Sequence, residues 1–293
     1  MLNRLHARLA GMAQGADQFN TTPEPHVLGQ IGRGRQLVAG SFLFAGHLVE
    51  APEMAIWDLP MPHTDFEAEL HGFAWLDDLA ALGNFAAYDR ARDWTFDWIG
   101  RFGTGKGPGW AADLTGRRLI RWISNSAALL NGQGYTRKEA LFHALSSQTV
   151  FLSRRWRTAA PGLARFEALV GLLYAALALR GMDSRVDPAR QALATECESR
   201  IGPQGGLPSR NPEELLDIFT LLTWAAEALA ARGQQPGAAH QAAMASIAPT
   251  LRALRHIDGG LARFHGVGLG QAGRLDGALA SAKVRRAPDA GLA

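Results

Sequence analysis

Arg210-Asn211-Pro212-Glu213-Glu214 is the stretch whose residue types most resemble chemistry. An arginine can grip a carboxylate or sulfate with two parallel hydrogen bonds. Glu213 or Glu214 could act as a base. The same five residues also spell a helix start: Asn211 as N-cap, Pro212 at the first helical position and two acids in the first turn. A second set is Arg118, Arg121, Trp122 and Asn125, which recur at helical spacing on a segment otherwise made of Leu119, Ile120, Ile123 and Leu129. A polar and aromatic stripe of this kind suits an anionic sugar, with Trp122 stacking on a ring and Arg121 and Asn125 meeting its acid and hydroxyl groups. It also fits a solvated helix face under a tryptophan lid. Trp94, Trp98 and Trp110 could form a stacking platform or could pack a core, and Tyr174 reads as a hydrogen-bonded core residue.

Other chemistries fail on spacing. Gly100 to Gly107 carries the glycines and the lysine of a phosphate loop, but Gly107 stands where Ser or Thr is required and a tryptophan-rich helix precedes it. The nine histidines show no HExxH spacing and Cys197 is alone, so neither a metal nor another cofactor is expected. Glycoside hydrolysis would need two carboxylates roughly 5–10 Å apart, and spacing alone does not bring Asp77, Asp78, Glu167 or Glu214 together. The formal charge of +3 over 293 residues is too small to imply nucleic acid. The basic run Arg154-Arg155-Trp156-Arg157 is the best case for nucleic acid or an acidic partner, and as one basic turn at a helix end it also suits the helix dipole, the reading favoured here.

Helices must position these residues. The chain is 47% apolar and 19% charged, a globular composition. Residues 1–15 pattern as an amphipathic helix rather than a secretory leader. No run approaches the roughly 18 apolar residues of a membrane span, so a cytoplasmic protein without a membrane partner is expected. Residues 16–63 are proline-rich around the β-prone run 36–49, read as one or two strands or an extended arm. Residues 64–255 read as helices near 64–82, 86–102, 115–131, 137–156, 162–180, 188–200, 212–232 and 238–255. Capping boxes are expected at Thr64/Glu67 and Thr136/Glu139, and an N-cap at Asp187. Residues 256–293 read as an extended exit. Short connections between helices apolar on several sides predict an all-α fold: an incomplete α/α toroid of antiparallel helical hairpins with a short N-terminal extended or β arm.

This order of features, with Gly205-Gly206-Leu207-Pro208-Ser209-Arg210-Asn211-Pro212, the segment Gly116 to Ile123 and the exit Leu254 to Gly260, resembles the heparinase II/III-like family. The resemblance implies a helical toroid followed by a β-sandwich that would lie beyond residue 293. It implies β-elimination on uronate-containing acidic polysaccharides, in which a donor neutralises the uronate carboxylate and a base removes the C5 proton. Position by position, the family's Asn-His pair falls on Leu163-Ala164, its turn histidine on Leu207 and its tyrosine on Glu214, while Arg210 and Pro212 are kept. The expected site is therefore Arg210, Asn211, Arg121, Trp122 and Asn125 for binding, with Glu214 as the base. The alternative is a non-catalytic helical scaffold that binds an acidic polymer or a protein.

Overall fold

A computed structural model describes residues 2–13, 15–21, 29–264 and 273–282. Among these residues the structure is all-α: thirteen α-helices and a single two-stranded sheet. The chain forms two compact units. One holds residues 1–160 and 167–186, the other 161–166 and 187–293.

The first unit opens with α1 (Leu2–Ala10), whose Ala7 and Ala10 are buried. After α2 (Ile31–Val38), strands β1 (Ser41–Phe44) and β2 (His47–Glu50) form a hairpin with Ser41 opposite Glu50. The β-prone run thus gives its first residues to a helix and the rest to the hairpin. Helices α3 (Thr64–Gly72) and α4 (Ala74–Leu82) replace the expected single helix 64–82. The break is Phe73, whose φ of 63° caps α3 in the left-handed region. A non-glycine residue pays steric strain there, and Phe73 is held in place by burial against Trp57, Trp75, Trp98 and Trp122. Helices α5 (Phe85–Phe102), α6 (Ala112–Ser124), α7 (Ser126–Leu130) and α8 (Tyr135–Arg155) follow, and then α9 (Leu163–Ala178), which begins in the second unit. Three expected caps are corrected. His63 caps α3 by accepting from the amide of Asp65, Gly134 precedes α8, and Val186 starts the next helix ahead of Asp187.

Helices α6 and α9 meet through Gly116 and Gly171. A Cβ on Gly171 would collide with the backbone of Gly116, and one on Gly116 with the backbone of Glu167 and Ala168. Two bare backbones in van der Waals contact require glycine on both sides. Arg117 and Glu167 flank the contact at 2.7 Å.

The core of this unit is aromatic. Trp57, Trp75, Trp94, Trp98, Trp110 and Trp122 are all buried, which decides the Trp94, Trp98 and Trp110 question for packing. Most indole N–H groups find an acceptor: the carbonyl of Trp94 for Trp57, of Leu70 for Trp75 and of Phe102 for Trp110. Among these rings lies Arg118, with no measurable exposure. Its Nε donates to Gln148 Oε1 at 2.6 Å, and its Nη1 to the carbonyls of Gly109 and His71 at 2.9 and 3.0 Å. The guanidinium lies 4.0 Å from the Trp98 ring centroid. It makes no salt bridge among the described residues. Burial pushes its pKa well below the ordinary arginine value.

The second unit takes the start of α9, then α10 (Val186–Arg200), α11 (Pro212–Ala231), α12 (Ala238–Ala253) and α13 (Arg274–Ser281). Asn211 caps α11 as expected, its side chain accepting from the amides of Glu213 and Glu214. Buried His240 meets the carbonyl of Leu222, tying α12 to α11. Beyond α12, residues Arg255 and Leu261 pair as one isolated bridge. Within the expected extended exit, residues 274–281 form helix α13, and residues 265–272 and 283–293 lie outside the described residues.

Truncating Arg118 leaves two carbonyls and the Gln148 side chain without a donor in a ring of tryptophan. Arg118→Ala is expected to cost about 3–5 kcal/mol in chemical denaturation. A loss under 1 kcal/mol would show that the core does not depend on it. Gly171→Ala forces a methyl into the backbone of Gly116, and a cost above about 2 kcal/mol is expected in the same measurement.

Candidate functional site

Helix α6 carries the polar stripe, and its placement reverses the expected one. Trp122 is fully buried against Phe73 and Trp98, at centroid distances of 5.2 and 5.4 Å. It cannot stack on a sugar, and it is no lid over a solvated face. Arg118 belongs to the core. Arg121 turns the other way, and its Nε reaches Asp77 Oδ2 at 3.1 Å. Asn125, 5% exposed, donates from Nδ2 to Asp77 Oδ1 at 2.9 Å and to the carbonyl of Arg121 at 3.0 Å. The stripe is therefore an internal polar seam. The physical reason is that α6 is apolar on several sides and is packed by α3, α4 and α8, so polar residues at helical spacing meet protein instead of water.

Asp77 is the hub of that seam. It lies on α4, 4% exposed. Burial raises its pKa to about 6 against the opposing pull of Arg121 and Asn125. Its neighbour Asp78 accepts from the amide of Gln30 at 2.7 Å, which fixes the entry to α2. Tyr174, on α9, shares a hydrogen bond of 3.3 Å with Ser124 and is buried, the core role expected of it.

Arg121 and Asn125 thus come together on Asp77 in the first unit. Arg210 and Asn211 come together in the second, and Glu214 is not among the residues that line their cavity. There a cavity of about 480 Å³ is lined by Leu207, Arg210, Pro212, Leu215, Leu254 and Phe264. Arg210 sits at φ 52°, a left-handed backbone that costs a non-glycine residue about 1–2 kcal/mol. Arg210 is exposed, and its guanidinium has no hydrogen-bond or ion-pair partner among the described residues. The turn before it is closed by backbone bonds from Arg210 to Leu207 and from Gly202 to Gly206. Gly205, at φ 71°, passes so close to Ser246 that no side chain would fit. Asn211 spends its side-chain oxygen on the helix cap. Glu214 lies in the first turn of α11, next to Gly162. Leu163 and Ala164 open α9 with no polar atom to offer an acid.

Sequence reasoning missed Tyr88, Arg92 and Asn131. They line a cavity of about 760 Å³ in the first unit together with Asp77, Ser124 and Asn125. Arg92 and Tyr88 share a helix face at i, i+4, but nothing in their spacing ties them to Asn131.

No family model matches the chain. FtsZ-localized protein C of Caulobacter vibrioides (strain NA1000 / CB15N) is 28% identical over 235 residues, which cover 80% of this chain and 40% of that protein. Among solved structures, heparan sulfate lyase HepC from Pedobacter heparinus and a mutant of it superpose with TM-scores of 0.62 and 0.61, at 12% and 13% identity. Each match covers 98% of this chain and 51% of the lyase. The chain therefore spans less than half of the curated relative and about half of the lyase. It has a heparinase-like helical fold, and at this identity the likeness speaks of fold alone.

Asp77 carries a pH signature. An acid whose folded pKa lies above its unfolded one holds its proton more tightly when folded, so protonation stabilises the fold. Stability relative to Asp77→Asn should rise as pH falls from 7 through 6 toward 4, on the order of 1 kcal/mol per pH unit, and should be level above 7. Paired denaturation curves across that range check it. A pH-independent difference would remove Asp77 as the titrating group.

Proposed function

We propose that this chain is a heparinase II/III-like module that binds an acidic, uronate-bearing polysaccharide without cleaving it by itself. The observation that carries this reading is Arg210. Its guanidinium, without a partner among the described residues, lines a cavity in a fold like that of a heparan sulfate lyase, on a backbone held in the left-handed region. A planar guanidinium is suited to a uronate carboxylate or a sulfate.

What is lacking beside it is an elimination apparatus. β-Elimination needs a donor on the carboxylate and a base within hydrogen-bond reach of the C5 proton. The positions that resemble the family's donor pair are Leu163 and Ala164. The position of its tyrosine is Glu214, whose charge suits the first turn of α11. Asn211 is committed to its cap. Trp122, Arg121 and Asn125 are engaged inside the first unit. Binding through Arg210 is chemically supported, and proton abstraction by Glu214 is supported only by its position.

A second reading is favoured by the identity to FtsZ-localized protein C. It makes the chain a non-catalytic helical scaffold held at FtsZ filaments, with a protein in place of the polymer.

Incubation with heparan sulfate or polygalacturonate is expected to give no rise in the ultraviolet absorbance of an unsaturated uronate. Titration calorimetry should show salt-sensitive binding, weakened about tenfold or more in a folded Arg210→Ala variant. Growth of the unsaturated product would overturn the binding-only reading. Absence of glycan binding, together with co-sedimentation on polymerised FtsZ, would put the second reading in its place.

A further inference from the structure

The cavity of about 760 Å³ in the first unit is as large as an ordinary small-ligand or peptide-segment site, roughly 300–1,000 Å³. Two features of its wall say what would fit. The first is that its apolar part is mostly alanine: Ala80 and Ala81 come from α4, and Ala127 and Ala128 from α7, with Leu130 as the one larger apolar side chain. Alanine walls let another backbone approach closely. The second is that its polar groups are rigid and unspent. Asn125 is held by two donations from Nδ2, to Asp77 and to the carbonyl of Arg121, so its Oδ1 is fixed and accepts nothing from the protein. Arg92 is anchored through Nε to the carbonyl of Ala128 at 3.0 Å and reaches Asp89 only at 3.4 Å through Nη1. Among the described residues its Nη2 has no hydrogen-bond acceptor. Asn131 lies at the exposed end of α7 with its side-chain amide unbonded.

Charge and shape narrow the occupant. The Asp77 carboxylate is answered by Arg121, which leaves Arg92 as the weakly compensated charge on the wall. The ligand should therefore bring an acid. Tyr88 supplies the single ring among the lining residues, and the Arg92 guanidinium stands over it at 5.9 Å. A sugar would want that ring face for stacking. An extended peptide would not: it needs an acceptor for its N–H groups, a donor for its carbonyls and small side chains against which to lie. Asn125, Asn131 and the four alanines provide these.

We propose that this cavity is a docking site for a short extended peptide segment of a partner protein, with Asn125 and Asn131 pairing to its backbone and Arg92 taking an acidic side chain. The proposal rests on neither reading of the previous subsection.

The test pans a phage library of random linear heptapeptides against the full chain. Enrichment of sequences containing Asp or Glu is expected. Binding of an enriched, synthesised peptide should fall at least tenfold in Arg92→Gln. Asn125→Ala removes a partner of Asp77 and can disturb the fold, so Ala127→Tyr is the companion variant. It changes an exposed position, fills the groove and leaves the Asp77 contacts alone. It should abolish peptide binding while leaving the thermal midpoint and any heparan sulfate binding unchanged. Failure to enrich any peptide overturns the proposal, as does enrichment without acidic residues or binding insensitive to both Arg92→Gln and Ala127→Tyr. Binding of free glucuronate that Ala127→Tyr removes would assign the cavity to a sugar acid instead.

Discussion

A buried guanidinium that makes no salt bridge among the described residues is the constraint around which the first unit is organised. Moving a charge out of water is expensive unless its hydrogen bonds are replaced in full. Arg118 is surrounded by what that replacement requires. Two backbone carbonyls, from the end of α3 and from the turn before α6, point at Nη1. Gln148 brings its amide oxygen across from α8 to Nε. Each of these acceptors lies on a different piece of chain, so one side chain ties α3, α6, α8 and the Gly109 turn together. The Trp98 face below it contributes an attraction that strengthens when water is excluded. His71 follows from the same constraint. Its Nδ1 must accept, because the Trp98 N–H that meets it at 2.9 Å can only donate. Burial and the nearby Arg118 charge hold its pKa down near 3, so it stays neutral. A protonated His71 would both lose that bond and face a like charge.

The second buried charge is handled by the opposite strategy. Asp77 has an ion-pair partner in Arg121 and a hydrogen-bond donor in Asn125, yet its pKa is still raised. Pairing thus offsets only part of the desolvation, as expected for a carboxylate this deep in protein. The return for that cost is rigidity. Asp77 fixes Asn125, and Asn125 in turn closes the corner between α6 and α7. The polar wall of the first-unit cavity inherits its geometry from this one acid, while the alanines beside it set how closely anything can approach.

The helical periodicity from residue 64 onward was legible because breakers and apolar spacing act locally. The Asn211-Pro212 start of α11 was legible for the same reason: cap and first turn are chosen by neighbours in sequence. The break at Phe73 was not. Nothing local calls for a left-handed phenylalanine, and only the packing of four tryptophans around its ring makes that backbone worthwhile. The stripe on α6 failed in a related way. Spacing correctly placed Arg118, Arg121, Trp122 and Asn125 near one another on the helix, but spacing is blind to what covers a face. A helix packed by several others meets protein on most of its faces, so the residues read as a sugar surface became core and hub. The cavity lined by Tyr88, Arg92 and Asn131 escaped for a third reason, since its parts come from helices joined only in space.

The interactions that hold the first unit of this heparinase-like fold together lie apart from the positions that the resemblance assigns to elimination. The groups that hold the first unit together are Arg118 in its tryptophan surround, the Gly116–Gly171 contact and the Asp77 hub. None of them occupies a position that the resemblance assigns to elimination. Leu163, Ala164 and Glu214 lie at the starts of α9 and α11, where a helix asks only for a permissive residue or an acid. Packing makes little demand on the side chains there, because none of the buried side-chain hydrogen bonds described above runs through them. Arg210 differs from these. Its backbone is left-handed and its side chain faces solvent. The turn that holds it is closed by the backbone bonds of Arg210 and Gly202 and by the close approach of Gly205 to Ser246, so the backbone around it, and no buried side-chain bond described above, sets its place.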